Sequence, residues 1–186
     1  MNWTGEILAQ LEFHWDTTLW PRLRGLGDDE FFWEPVDGCW SVRPRPDGSF
    51  AADWEWPEPV PPPFTTIAWR LGHIVVAVLE LRVNRHFGDR TLDLADAPWP
   101  GSAEEALTRL HDGYELWRAG VRGVDIDGLA APVGEAEPPQ WADFPFAMLA
   151  LHVNREIIHH GAEVACMRDL YRARLAPDAA RVPDPV

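Results

Sequence analysis

Ionisable side chains crowd one short segment, Leu151-His152-Val153-Asn154-Arg155-Glu156-Ile157-Ile158-His159-His160-Gly161-Ala162-Glu163. Glu156 and His160 stand four residues apart, so on a helix both project from one face, one turn apart, and both reach a single ion. His152 and Glu163 fall on the same stripe as Leu149, Val153 and Met167, which should pack into a core; Asn154, Arg155 and Ile158 lie away from it. Burying a carboxylate and an imidazole among aliphatic side chains is costly unless something satisfies them. A hydrogen-bonded Glu–His network, a stripe facing water at a groove, or a metal ion would each do so. A metal needs a further ligand from elsewhere, and the sequence offers His14, His73, His86 and His111. His73 shares its helical wheel with Arg70, Glu80 and Asn84, a polar stripe that also suits solvent; Gly72 beside it would allow a close helix approach.

Four helices must position these groups. The first starts at Thr4, a plausible N-cap, runs to about Leu19 with Ile7, Leu8, Leu11 and Trp15 at helical spacing, and is bent or ended by Pro21. A short turn of helix follows over Asp28 to Trp33. The second begins at Thr65 or Thr66 and ends at Gly88; it is apolar over most of its circumference, as a central helix is. The third opens on a capping box, Ser102 with Glu105, and runs to about Val121, with Ala106, Leu110, Tyr114 and Trp117 as its apolar stripe. The fourth, with Asp143 as cap and Pro145 in its first turn, reaches about Arg172.

Between the first two helices lies a stretch rich in proline and tryptophan, with seven prolines between residues 41 and 64. Asp47-Gly48 between Val42 and the Trp54/Trp56 alternation predicts an irregular hairpin and then an extended entry to the second helix. A long loop of this kind inside a compact domain is more often functional or a lid than idle, with disorder as the rival reading. The sum is an all-α bundle in one domain over residues 1–175, with a frayed tail over 176–186.

Composition narrows the chemistry. The chain of 186 residues has a net charge of -14, and all 16 of its basic residues are arginine. No lysine can form a Schiff base, act as a general base or grip a phosphate from a P-loop. Such an acidic chain repels polyanions, so nucleic acid is not expected as a partner. Cys39 and Cys166 make no disulfide framework. The opening residues carry no signal-peptide pattern, and the longest aliphatic run, Ile74 to Leu79, is too short to cross a bilayer. A soluble cytoplasmic protein is the expectation, with no membrane partner.

Three local patterns resemble a family: Cys39-Trp40-Ser41-Val42-Arg43, Thr65-Thr66-Ile67-Ala68-Trp69-Arg70-Leu71-Gly72-His73-Ile74, and Asn154-Arg155-Glu156-Ile157-Ile158-His159-His160-Gly161-Ala162-Glu163. In this order, on four helices, they are similar to the DinB-like (YfiT-type) metal-binding four-helix bundles, particularly an actinobacterial branch related to mycothiol-dependent maleylpyruvate isomerases. The resemblance implies an up-down-down-up four-helix bundle with a long Pro/Trp-rich insertion between helices one and two. It implicates His73, Glu156 and His160 as ligands of a divalent metal, with His152 and Glu163 as supporting neighbours. Many members carry histidine where this chain has Glu156, which bears on the metal's identity: zinc first, with nickel, iron or manganese as alternatives.

Two imidazoles and one carboxylate leave coordination positions open, as in catalytic zinc sites. The resemblance therefore implies a thiol transferase or isomerase with mycothiol as co-substrate, whose reacting group is a metal-bound water or thiolate and whose candidate base is His159. Arg70, Trp54 and Trp56 are the candidate substrate contacts, and a homodimer acting on a small molecule is the expected assembly. The rival readings are a metal-activated hydrolase and a non-catalytic, stress-related metal- or ligand-binding bundle.

Overall fold

The computed structural model describes residues 2–175; the tail expected over 176–186 lies outside them. The described chain is mostly helical. Its first helical stretch is built from α1 (Trp3–His14), a π-helical turn (Trp15–Leu19) and α2 (Trp20–Leu23). Asn2, rather than Thr4, caps it: the Asn2 side chain accepts from the Gly5 amide at 3.1 Å, while the Thr4 hydroxyl donates to the Val124 carbonyl at 2.7 Å. Pro21 does not end it. The helix widens just before, the Trp20 amide reaching back five residues to the Trp15 carbonyl. The stretch thereby passes a residue that has no N–H to offer. A short α3 (Asp28–Phe31) follows.

The second stretch is α4 (Ile67–Gly72), a π-helical segment (His73–Glu80) and α5 (Leu81–Phe87). Thr66 caps α4 by accepting from the Trp69 amide at 3.2 Å. Helix α6 (Ala103–Arg122) carries the expected Ser102 cap on the Glu105 amide at 3.1 Å. The Glu105 carboxylate reaches back one residue further than a capping box requires, to the Gly101 amide at 2.9 Å. After the short α7 (Ile126–Ala130) comes α8 (Phe146–Leu175). It starts beyond Asp143, which therefore does not occupy the cap position. Pro145, expected inside the first turn, instead precedes the helix in an isolated bridge with Pro132.

The first and second stretches each pack against both α6 and α8. The core between them holds Leu11, Leu19, Leu71, Ile74, Leu79 and Trp117, all essentially out of solvent. Because α8 has neighbours on more than one side, it buries more than one stripe. Asn154, expected away from the core, is buried, and its amide donates to the Ile7 carbonyl at 2.8 Å and to Gln10 at 3.2 Å. Near the far end of α8, Arg168 is fully buried against Glu30 of α3 at 2.8 and 2.9 Å and donates to the Arg22 and Arg24 carbonyls at the end of α2. No helix among the described residues is long and apolar enough to cross a membrane.

The insertion contains the hairpin that Asp47-Gly48 predicts. Strands β1 (Val42–Pro44) and β2 (Phe50–Ala52) pair antiparallel, with Val42 opposite Ala52. Gly48 takes φ +86° at the turn, and Asp47 accepts from the Ser49 amide and hydroxyl. The hairpin is tied to the start of α4. The Trp40 amide donates to the Phe64 carbonyl and the Thr66 amide to the Trp40 carbonyl. The Thr66 hydroxyl meets that of Ser41 at 3.0 Å, and the Trp69 indole donates to the Asp53 carbonyl at 2.9 Å. The Trp40-Ser41 and Thr65-Thr66 sequences are thus two halves of one clasp that fixes where α4, and His73 behind it, begins.

Candidate metal centre

His73, the first residue of the π-helical segment, faces Glu156 and His160 of α8. One ligand atom from each of the three lies within 4.8 Å of the other two. The Glu156 Oε2 atom is 3.7 Å from His73 Nε2 and 3.4 Å from His160 Nε2. These separations exceed good hydrogen bonds. They match what ligand atoms about 2 Å from a common zinc ion would adopt around a tetrahedron. The three side chains are half-buried, each keeping 16–23% of its surface accessible, and the donor set and its spacing fit a divalent ion.

The surroundings orient each donor. His160 Nδ1 bonds Glu163 Oε2 at 2.7 Å, leaving Nε2 on the side of Glu156. A carboxylate behind a ligating imidazole is the usual device for fixing its tautomer. Glu163 is in turn gripped by Arg70 of α4, whose guanidinium also lies over the Phe64 ring. Arg70 is therefore already committed to Glu163. His73 is held flat against Trp69, one turn earlier, with ring centroids 5.5 Å apart and planes 3° apart. Trp69 stacks in the same way on Trp54 at 6.3 Å and 1°. Trp54 is 65% exposed, so a ladder of parallel rings leads from the surface to His73. Trp56, by contrast, is 82% exposed.

His152 stands on the other oxygen of the same carboxylate, its Nδ1 3.4 Å from Glu156 Oε1, and Arg155 contacts that nitrogen at 2.6 Å. It is not among the three that converge. His159 points its Nε2 towards Glu163 at 3.4 Å and is 63% exposed on its side chain. It joins His160 and Glu163 in a second close group. In that group Glu163 is already engaged by Arg70 and by His160 Nδ1, so it is the less open of the two to an ion.

Electrostatics follow from this packing. His73, whose contribution is the largest, together with His152 and His160, holds the Glu156 carboxyl down to about 2 against the opposing effect of burial. Burial lowers His160 from the usual histidine range and outweighs the nearby carboxylates, which favours the neutral ligand form. Burial pushes the Glu163 carboxyl up, but His160 and Arg70 prevail and it lies below the ordinary value.

Two partners were not read from the sequence. Trp69 lies four residues before His73, a helical spacing that could have revealed it. The Arg70–Glu163 pair joins residues 93 apart in the chain, and nothing local signals it. A family model described as the DinB superfamily matches residues 10–164, most of the chain. No curated protein and no solved structure matches the sequence.

Proposed function

The chain belongs to the DinB superfamily, and from that premise we propose that it is a metal-dependent enzyme of the thiol-transferase or isomerase type. In this reading a divalent ion, zinc first, sits on His73, Glu156 and His160. The two long helical stretches, α6 and α8 form the up-down-down-up bundle that carries it. The observation that supports the reading is the convergence of three donors within 4.8 Å, one imidazole being backed by its own carboxylate. Iron, nickel or manganese would also accept this donor set.

A bound ion of this kind supplies Lewis acidity, lowering the pKa of a thiol or water. The chain's own residues do the rest. Glu163 fixes which nitrogen of His160 is presented, Trp69 fixes the plane of His73, and Trp54 offers an exposed aromatic face at the end of the ring ladder. His159, at the rim with Glu163 behind it, has the arrangement of a general base with an orienting carboxylate. Mycothiol is the proposed co-substrate, on the resemblance to the maleylpyruvate isomerases.

The test is elemental analysis of the purified protein, followed by turnover of electrophilic acceptors with and without mycothiol. One metal per chain, thiol-dependent turnover, and loss of both in His73→Ala and His160→Ala are expected. Turnover unchanged in both variants would overturn the reading. Activity that needs the metal but no thiol would assign a hydrolase instead.

A further inference from the structure

A cleft of about 510 Å³ opens beside the candidate metal centre and is not formed by its three ligands. Trp141, Phe144 and Met148 are among its apolar walls, and Arg82, Glu137 and His152 line it as well. His152 joins the two places, since it lines the cleft and stands 3.4 Å from Glu156. Trp141, Phe144, Met148 and Leu151 are all exposed, which groups four large apolar side chains around one opening. A grouped patch of this kind marks a binding site more often than scattered exposed residues do.

The charge of the cleft runs against the charge of the chain. The net charge is -14, yet Arg82, Arg85 and His86 surround the single carboxylate of Glu137, and Arg155 also lines the cleft. Glu137 is buried and hydrogen-bonds His86 at 3.0 Å and Arg85 at 3.3 Å. Its distance to Arg82 Nε is 3.3 Å, without hydrogen-bond geometry. The Nε and Nη1 atoms of Arg82 are out of solvent with no hydrogen-bond partner. A largely buried guanidinium short of acceptors is costly, and burial pulls Arg82 below the usual arginine range even with Glu137 opposing.

We propose that this cleft binds an anionic ligand with an apolar body, a carboxylate on a hydrocarbon or aromatic frame, its head paired with Arg82 and its body against Trp141, Phe144 and Met148. A carboxylate supplies an acceptor to the part of the Arg82 side chain that remains accessible, 17% of it, since the unpartnered Nε and Nη1 atoms are themselves closed to solvent. The apolar walls discriminate against small inorganic anions. The proposal deepens the metal-centre reading by naming a ligand class beside it, but the binding itself needs no metal.

The test is calorimetric titration of the metal-free full-length chain with octanoate, octylammonium and 1-octanol. Octanoate should bind at least tenfold more tightly than either of the others. An acidic chain would otherwise favour the ammonium, so this order cannot come from bulk charge. Arg82→Gln should weaken octanoate about tenfold, to the level of octanol. Met148→Trp, at an exposed wall position, should weaken it comparably by filling the cleft. Octylammonium or octanol binding as tightly as octanoate, or octanoate binding unchanged in both variants, would overturn the proposal. If Arg82→Gln does not fold, the order of the three probes and Met148→Trp decide. A chain that takes up no stoichiometric metal when metal is supplied, yet binds octanoate, loses the metal reading and keeps the cleft, whereas a chain that takes up metal and ignores octanoate loses the cleft alone.

Discussion

His160 offers its Nδ1 to Glu163 Oε2 at 2.7 Å, and that bond decides which nitrogen of the ring faces Glu156. Replacing Glu163 by Gln keeps the volume but removes the charge that favours this tautomer. Zinc affinity, measured by competition with a chromophoric chelator, should fall roughly 10- to 100-fold, whereas His160→Ala should bind no stoichiometric metal. Equal affinity in Glu163→Gln and the parent would show that Glu163 does not orient the ligand.

The depressed carboxyl of Glu156 gives the metal-free protein an acid-side signature. Its folded value of about 2 lies below the ordinary 4.5. Ionised Glu156 therefore adds stability that is fully present above 4.5 and is lost as the pH falls towards 2. Comparing urea unfolding of the parent and Glu156→Gln across this range should show a gap that is constant above about pH 5 and closes on acidification. A gap that persists unchanged to pH 2 would contradict this.

At the alkaline end the relevant group is Tyr114, buried in α6 and stacked on Trp15 with ring centroids 3.8 Å apart. Burial raises its phenol from 10.0 to about 12, with Arg118 opposing. Here the folded value is raised, so the stabilisation is complete below pH 10 and disappears as the pH rises through 12. Tyrosinate absorbance should rise late for this residue and coincide with loss of helical circular dichroism. In Tyr114→Phe the late component should vanish.

Arg168 and Glu30 form a pair with almost no contact with water. Arg168→Met leaves the Glu30 carboxylate buried without its partner, and unfolding free energy in urea should drop by about 3–5 kcal/mol. Replacing Glu30 by Leu in the same chain should recover most of that loss, because the stranded charge is gone. A single variant within about 0.5 kcal/mol of the parent would show that the carboxylate finds water.

Gly72 immediately precedes His73, and a Cβ there would run into the Trp99 ring. Gly72→Ala must displace that ring, whose own backbone amide is tied to the Phe50 carbonyl at 3.0 Å. A loss of about 1–3 kcal/mol is expected from overpacking, read as a lower melting temperature. An unchanged or higher melting temperature would mean that Trp99 moves freely.

What the sequence disclosed divides along the range of the interactions. Thr66 and Ser102 announce their helices because a cap is a contact between residues three apart. The nearness of Glu156 and His160 is equally local, a matter of spacing on one helix. Which distant histidine would join them is not, and only the resemblance singled out His73. Asn2 and Thr4 are both competent to cap the first helix, and local sequence does not decide between them, because the Val124 carbonyl just beyond the end of α6 claims the threonine. Asn154 is buried where the wheel predicts otherwise, because a wheel with one buried stripe does not describe a helix packed on several. Arg82 and Glu137 lie 55 residues apart, and the shortfall in hydrogen bonding at Arg82 belongs to the packing alone.

The widened segment His73–Glu80 carries one residue more than a regular α-helix would place there. The Leu81 amide reaches the Val76 carbonyl, five residues back rather than four. Removing a single residue between them restores the ordinary four-residue spacing of that bond, so the helix beyond stays in phase and Arg82, Arg85 and His86 keep facing Glu137. The same deletion inside regular α-helix would instead turn everything beyond it by about 100°. Single-codon deletions in this segment should therefore be better tolerated than deletions in α5, which lies wholly in regular α-geometry.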